Sequence, residues 1–211
     1  MKASDVITRA RDILQDAGAD YWTADELLRW LNDSRLDAYK LRPDLYEATE
    51  DVTLVEGGRQ QLPSDSKFLF AVRRNVSASK QRAITLVSGP VLDRIRPNWR
   101  SQAPAREIQH YLYDQRDPGH FDVFPPARAD VTVQISYAKP PEPISEPDTT
   151  DLVQEGVYAT ACVDYVLYRA FLKEADTVPA FHGRALQHLT MAQATLTGDI
   201  PTKASAGPNQ G

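Results

Sequence analysis

The residues that most often carry out chemistry in proteins are few in this 211-residue sequence, and their spacing does not predict an active site. His182 and His188 lie six positions apart, which does not place them on one face of a helix. His110 and His120 could meet across a predicted hairpin, but no Asp or Glu accompanies them at zinc-like spacing. The sequence also lacks a phosphate-binding loop, a dinucleotide fingerprint and a nucleophile elbow. It therefore indicates no enzyme, no metal site and no cofactor.

Cys162 and the pair Asp114 and Asp117 could also carry out chemistry, but a structural role explains each of them. Cys162 is the single cysteine, which excludes an intramolecular disulfide and is typical of a protein from a reducing compartment. No cation or helix start lies near it to activate its thiol, so we expect a buried small apolar side chain. Asp114 and Asp117 could form a general acid–base pair, but aspartates next to Pro118 and Gly119 more commonly form the turn itself.

Charge is distributed unevenly along the chain. The formal net charge of -5 and the pI near 5.4 argue against a general nucleic-acid coat. Residues 1–48 contain 7 basic and 10 acidic residues, residues 49–140 contain 13 and 10, and residues 141–211 contain 4 and 9. The segment Lys67–Arg106, called the basic cluster below, contains nine basic residues and one acidic residue, Asp93.

The basic cluster has three interpretations. It could be a solvated face, a groove for single-stranded nucleic acid, or a surface that meets an acidic surface on another copy or a partner. Trp99 is the only aromatic residue between Lys80 and Arg106, whereas a single-strand groove requires several stacking rings. We expect the arginines to form a subunit or tail interface, and they are Arg73, Arg74, Arg82, Arg94, Arg96 and Arg100.

The N-terminal 48 residues are predicted to form two helices. The first is expected to begin at the N-cap Ser4 and to stop at Gly18. The second is expected to begin with the capping box Thr23–Glu26 and to end at Pro43. Their apolar residues recur every three or four positions, and these are Val6, Ala10, Ile13 and Ala17 in the first helix and Leu27, Leu28, Leu31 and Ala38 in the second.

Between residues 49 and 140 the apolar period changes to two, which is typical of strands. Val52–Leu62 is predicted to be a hairpin that turns at Glu56–Arg59, and Asp130–Tyr137 is the clearest strand because its alternate residues are apolar. A short helix is predicted over Pro90–Arg96, with Ser88 near its start. The other predicted strands are 68–76, 84–87, 107–113 and 121–124, the last of which is expected to end at Pro125 and Pro126.

The C-terminal third returns to a helical period. Residues 141–147 are predicted to be a stiff, proline-rich connection. A long helix is expected from Asp148 or Thr150 to about Ala175, a break at Pro179, and a last helix to residue 197, followed by a flexible tail over residues 198–211. No signal peptide and no run of about 20 apolar residues is present, so we expect a soluble intracellular chain.

These elements predict an α+β fold. Neither helix pair can bury its apolar stripe alone, so residues 1–48 and 148–197 are expected to form a four-helix bundle. Residues 49–140 are expected to be an inserted, mainly antiparallel β subdomain.

Several segments resemble the head-to-tail adaptors of tailed bacteriophages, the tail tubular protein A-like connectors. They are Tyr39–Pro43, Leu92–Arg100, His110–Asp114, Phe121–Pro126, Val131–Tyr137 and the two C-terminal helices. The resemblance implies a structural virion protein at the head–tail junction, made in the host bacterial cytoplasm, without enzymatic activity, a cofactor or a membrane. It further implies a ring of twelve copies bound to the portal protein and to tail (nozzle or tail tube) proteins, with DNA passing through without sequence-specific binding.

Two expectations concern particular residues of such an adaptor. Trp99 is expected to fill a pocket of the β subdomain while Arg100 pairs with a carboxylate. The start of the tail is expected to dock on the portal, through Asp199, Ile200, Pro201, Thr202 and Lys203. The alternative function is a nucleic-acid-binding module that uses the basic cluster, Lys67–Arg106.

Overall fold

The computed structural model describes residues 1–63, 66–150, 152 and 158–198, which contain five α-helices and two small β-sheets. The chain divides into two compact units. One unit, the helical unit, contains Met1–Leu45 and the chain from Pro141 onward, and the other, the β unit, is Tyr46–Pro140. The α+β class predicted from the sequence is confirmed.

The helical unit contains α1 (Ala3–Leu14), α2 (Ala24–Leu41), α4 (Ala159–Glu174) and α5 (Ala180–Thr197). Helix α4 contacts each of the other three, and α1 also contacts α2. This central place explains why α4 is buried on more than one side, whereas α1 buries a single stripe. The core includes Val6, Leu27, Leu31, Val166, Leu167 and Ala170, each with no exposed surface.

The predicted limits of α1 are wrong. The helix begins after Lys2, whose backbone N–H donates to the carboxylate of Asp5 (2.8 Å), and not after Ser4. It ends at Leu14, and Gln15 takes the left-handed conformation (φ 57°) that was expected at Gly18. The following turn is organised by Asp16, which binds three backbone N–H groups, so the chain leaves the helix early. Ile13, predicted to be in the core, is 53% exposed.

The predicted limits of α2 are confirmed, whereas the predicted start of α4 is not. Thr23 is the N-cap of α2, since its Oγ1 accepts from the N–H of Glu26 (3.3 Å), and the helix ends just before Pro43, both as predicted. The predicted start of α4 at Asp148 or Thr150 is wrong. Residues 147–149 form a turn, where the hydroxyl of Thr150 donates to the carbonyl of Glu146 (2.9 Å), and α4 begins at Ala159.

The described residues of the β unit form seven strands in two sheets. The first sheet has the order β1-β7-β3 and is antiparallel. The second has the order β2-β6-β5-β4, and only its β4–β5 pair is parallel. The strands are β1 (Glu47–Thr53), β2 (Gly57–Gln61), β3 (Leu69–Asn75), β4 (Thr85–Leu86), β5 (His110–Leu112), β6 (His120–Ala127) and β7 (Thr132–Ala138).

The predicted hairpin over Val52–Leu62 is wrong, because β1 pairs with β7 and β2 pairs with β6. The residues between them are held by the buried side chain of Gln60, whose amide accepts from the N–H of Val55 and donates to its carbonyl (both 2.9 Å). A side-chain clamp thus replaces the cross-strand ladder, and the two strands separate into different sheets.

Strand β6 continues through the two prolines at which it was expected to end. Proline lacks the N–H group but still accepts hydrogen bonds, and the carbonyl of Pro126 accepts from the N–H of Ala105 (2.8 Å). The alternation predicted for the last strand is confirmed, because Val131, Val133, Ile135 and Tyr137 are at most 1% exposed. The short helix is confirmed as α3 (Gly89–Ile95), with Ser88 as its N-cap.

Candidate functional site

The residues considered for catalysis each contact a different partner in the structure. His110 Nδ1 lies 2.6 Å from the hydroxyl of Thr85, and His120 Nδ1 lies 2.9 Å from Asp117, so the two histidines do not form a joint site. Cys162 is 3% exposed within α4. Within the described ranges, no group of three or more His, Cys, Asp or Glu residues is placed to hold a metal ion.

The aspartates of the β5–β6 connection form its turn. The carbonyl of Asp114 accepts from the N–H of Asp117 (2.9 Å), and the carboxylate of Asp114 binds the guanidinium of Arg116 (2.8 Å). That guanidinium lowers the pKa of the Asp114 carboxyl, and the hydrogen bond from His120 lowers the pKa of Asp117. Both groups are therefore held as carboxylates, which does not suit an acid–base pair in which one member carries a proton.

One polar pair was missed by sequence reasoning. Asp164 of α4 is 5% exposed, and its Oδ1 lies 2.9 Å from Nδ1 of His188 in α5. The imidazole also stacks on the ring of Phe171, with 5.6 Å between ring centroids. The two residues are 24 positions apart on different helices, so no local pattern indicates that they meet.

Most of the arginines of the basic cluster already have partners within the β unit. Arg73 pairs with Glu47 (3.1 Å), and Arg82 pairs with Glu107 (3.3 Å). Arg74 donates to the side-chain oxygen of Gln134 (3.2 Å). These contacts place one half of the basic cluster along β3 and the loop after it, where its charge is partly neutralised.

The other half of the basic cluster surrounds α3. Arg100 pairs with Asp93 (2.8 Å), and the guanidinium of Arg96 lies 5.4 Å from the ring centroid of Phe124. Arg94 is exposed and has no ion-pair partner in the part of the chain that the structure describes. Positive charge without a carboxylate partner among the described residues therefore remains at α3, on Arg94 and Arg96, and also on Lys67, Arg74 and Lys80.

Trp99 holds α3 to the β unit. Its side chain is 1% exposed, its ring meets the ring of Phe124 edge-on (6.2 Å between centroids), and Leu92 and Leu112 complete a small apolar cluster. Its indole N–H donates to Oδ1 of Asp93 (2.7 Å), the same oxygen that accepts from Arg100. These two hydrogen bonds lower the pKa of the Asp93 carboxyl, and the bond from Trp99 has the larger effect.

The opposite side of α3 is exposed. Val91 is 48% and Ile95 is 69% exposed, and because they are four residues apart they share one helix face, with Arg94 beside them. We call Val91, Arg94 and Ile95 the α3 outer face. Leu86, on the edge strand that leads into α3, is also 61% exposed. The sequence could have indicated this surface, because α3 has only seven residues and carries apolar side chains on both of its sides.

A buried arginine in the helical unit was also missed. Arg42 is 2% exposed, and its guanidinium donates to the carbonyl of Leu196 (2.7 Å) and to both carboxylate oxygens of Asp44 (2.8 and 2.9 Å). It also lies 5.5 Å from the ring centroid of Tyr158. The hydrogen bonds that Arg42 donates to the Asp44 carboxylate raise the pKa of Arg42. The arginine joins the end of α2 to the last turn of α5. The two residues are 154 positions apart, so no local sequence pattern predicts their contact.

An apolar groove lies next to this contact. It has a volume of about 230 Å³ and runs between α2, α4 and α5. Burial raises the pKa of Tyr165 in its wall to about 12. The other apolar residues that line it include Leu41, Leu45, Ala161, Leu189 and Leu196. The residues predicted to dock on the portal, Asp199–Lys203, lie outside the described residues.

A second charged surface lies at the turn between α1 and α2. Residues 12–26 contain five carboxylates and no basic residue, and we call this segment the acidic end. The Asp16 carboxylate accepts the N–H groups of Asp20, Tyr21 and Trp22 (3.0–3.2 Å), which lowers its pKa. Two contacts join the segment to α4: the Tyr21 hydroxyl donates to Glu174, and Lys173 donates to Glu26 (both 2.8 Å).

Comparison with known proteins identifies one family. The family model of the SU10 adaptor protein matches residues 1–210. No curated protein matches the sequence. In the described part of the chain, every helix is too short or too polar to cross a membrane.

Proposed function

The chain belongs to the SU10 adaptor protein family, the phage head-to-tail adaptors, and from that premise we propose that it is a structural virion protein joining the portal to the tail. In this proposal twelve copies form a ring, the portal protein binds one side, and nozzle or tail tube proteins bind the other. The genome passes through the lumen. The observation that carries the proposal is the family match over nearly the whole chain.

The contacts of the described residues support a structural role over a catalytic one. The side chains with catalytic potential are engaged in turns, strand contacts and a helix–helix pair, each apart from the others. The surfaces left over are charged and apolar, which suits contacts with other proteins.

Docking on the portal is proposed for the segment that follows α5, beginning with Asp199–Lys203. Arg42 holds the carbonyl of Leu196, so the end of α5 has a fixed position from which the segment starts. Residues 199–211 can span about 45 Å when extended, at roughly 3.3–3.6 Å per residue. A segment of that length can reach a neighbouring portal subunit.

The test of the adaptor function is assembly with the portal. The purified chain is mixed with portal rings and imaged by negative-stain electron microscopy, and we expect a second ring with twelve-fold symmetry beneath the portal. A chain that stays monomeric in the presence of its portal would contradict the proposal. The matched control is a chain shortened by residues 199–211, which should keep the circular dichroism of the full chain but lose co-assembly; unchanged assembly of the shortened chain would exclude the segment as the docking element.

The alternative of a nucleic-acid-binding module makes a different prediction. Its phosphate contacts would give a DNA affinity that falls steeply with salt, with a log–log slope that reflects several released counterions. We expect a weak affinity with a small slope, because Arg73, Arg82 and Arg100 are already paired with carboxylates. A steep slope would favour the alternative.

A further inference from the structure

We propose that the α3 outer face of one copy binds the acidic end of the next copy in the ring. The proposal rests on the proposed function, because it names the contact that a ring of this chain would use. It concerns two surfaces of the described chain that have no assigned partner, one on the β unit and one on the helical unit.

The α3 outer face combines apolar surface with a free positive charge. Val91 and Ile95 are 48% and 69% exposed, and Arg94 between them lacks an ion-pair partner among the described residues. Single exposed apolar side chains are ordinary, but two on one short helix face, with Leu86 close by in the chain, form a patch that is typical of protein contacts.

The face is held in place by contacts on the other side of its helix. The opposite side of α3 is held by Leu92, which is 5% exposed, and by Asp93, which binds both Trp99 and Arg100. Presenting Val91 and Ile95 therefore requires no folding step, and the entropy cost of association is lower than for a loose segment.

The acidic end has the complementary character. Its exposed apolar side chains are Ile13 (53%) and Tyr21 (58%), and Asp12 and Asp20 beside them are also exposed. The nearby cations are Arg11, which borders it, and Lys173, which is already paired with Glu26, so the segment keeps a negative charge. The Asp16 hydrogen bonds to the turn and the Tyr21–Glu174 bond make this surface preformed as well.

A second copy of this chain is the occupant that these observations favour. Neighbours in a cyclic ring meet through two different surfaces, which must complement each other. The α3 outer face is apolar and basic, and the acidic end is apolar and acidic, so both requirements of such a contact are met by one chain. DNA would be attracted to Arg94, but its phosphates would not bury the exposed Val91 and Ile95, and the acidic end would repel it.

The first test is site-directed cross-linking in the assembled particle. Ile95→Cys and Ile13→Cys are made in two differently tagged chains, which are mixed in equal amounts with portal and treated with a short bis-maleimide. The only native cysteine, Cys162, is 3% exposed and does not compete. We expect covalent dimers that carry both tags. The matched control replaces Ile13→Cys with Leu186→Cys, on an apolar residue of α5 with similar exposure (48% against 53%), and should give no such dimer.

The second test is charge reversal. In the proposed contact, Arg94→Glu places a carboxylate against Asp12, and Asp12→Lys places an ammonium group against Arg94. Each variant should raise the chain concentration for half-maximal ring formation at least about fivefold. The double variant restores the opposite charges in reversed order and should return the midpoint to within about twofold of the unchanged chain. Both positions are exposed, so circular dichroism should be unaltered.

The outcomes separate this proposal from the adaptor function. If the unchanged chain forms no ring on the portal, the adaptor function fails. If the ring forms but the Ile95–Ile13 pair does not cross-link and the charge reversals leave the midpoint unchanged, the contact proposed here is wrong. If only Arg94→Glu acts, and it acts on the binding of tail proteins to a complete ring, the α3 outer face binds the tail and the second-copy proposal is overturned.

Discussion

The contact of Arg42 with the end of α5 predicts that Arg42→Ala strongly destabilises the helical unit. The guanidinium is almost fully buried and makes one hydrogen bond of 2.7 Å to the carbonyl of Leu196 and two of 2.8 and 2.9 Å to Asp44. Removing it leaves the carbonyl without this donor, leaves Asp44 without its counter-ion, and empties the space beside Tyr158.

The magnitude follows from the burial of each partner. Breaking a fully buried ion pair by removing one member costs about 3–5 kcal/mol. Asp44 is 38% exposed and recovers water, which reduces the cost of its lost pairing to about 1 kcal/mol. The lost bond to the Leu196 carbonyl adds roughly 1–3 kcal/mol. We therefore expect the free energy of unfolding to fall by about 2–4 kcal/mol.

The assay is urea denaturation followed by circular dichroism, combined with hydrogen exchange of the last turn of α5. Arg59→Ala is the matched control, because Arg59 pairs with Asp117 while both side chains are largely exposed (62% and 45%), and it should cost at most about 1 kcal/mol. Arg42→Lys keeps the charge but loses the forked geometry and should fall between the two. An Arg42→Ala chain as stable as the Arg59→Ala chain, with the end of α5 equally protected, would refute this reasoning.

Two further predictions concern the β unit and the acidic end. Trp99→Ala removes a side chain that is 1% exposed and should lower the free energy of unfolding by about 3–5 kcal/mol in urea denaturation, since a large cavity is left; a loss below about 1 kcal/mol would show that Trp99 does not hold α3. The Asp16 carboxyl has a folded pKa below its ordinary value because three backbone N–H groups bind the carboxylate, so its stabilisation is present above the ordinary pKa and is lost as pH falls through the lower folded pKa. Asp16→Asn should therefore be less stable than the unchanged chain at neutral pH, and urea midpoints measured from about pH 7 to pH 3 should converge on acidification; a constant difference across that range would exclude this role.

Local patterns predicted the elements well where local chemistry decides them. Thr23 caps α2 because its hydroxyl lies three residues before Glu26, and the alternation from Val131 to Tyr137 identifies a strand buried on one face. Ser88 occupies the N-cap position of the short helix α3, as its place just before Gly89 and Pro90 predicts. The family resemblance, drawn from segments that span most of residues 1–197, is confirmed by the match over residues 1–210.

Partners that are distant in sequence could not be predicted. The strands around Glu56–Arg59 look like a hairpin by their turn residues, but β1 and β2 find better partners in β7 and β6, while Gln60 holds the chain between them. The basic cluster looked continuous in the sequence. In the structure Glu47 and Glu107, both outside the cluster, pair with two of its arginines and Gln134 binds a third, whereas Arg94 of α3 has no ion-pair partner among the described residues.

The sequence by itself determined the α+β class, the positions of most helices and strands, the family, and the separation of acidic ends from a basic middle. Those properties depend on local residue patterns, on composition or, for the family, on the order of short segments along the chain. Tertiary structure alone decided which charges remain free, that Arg42 is buried against Leu196, and that α3 presents Val91 and Ile95 outward while Trp99 holds its other side. Burial and pairing are properties of neighbours in space, and folding brings those neighbours together from positions as far as 154 residues apart.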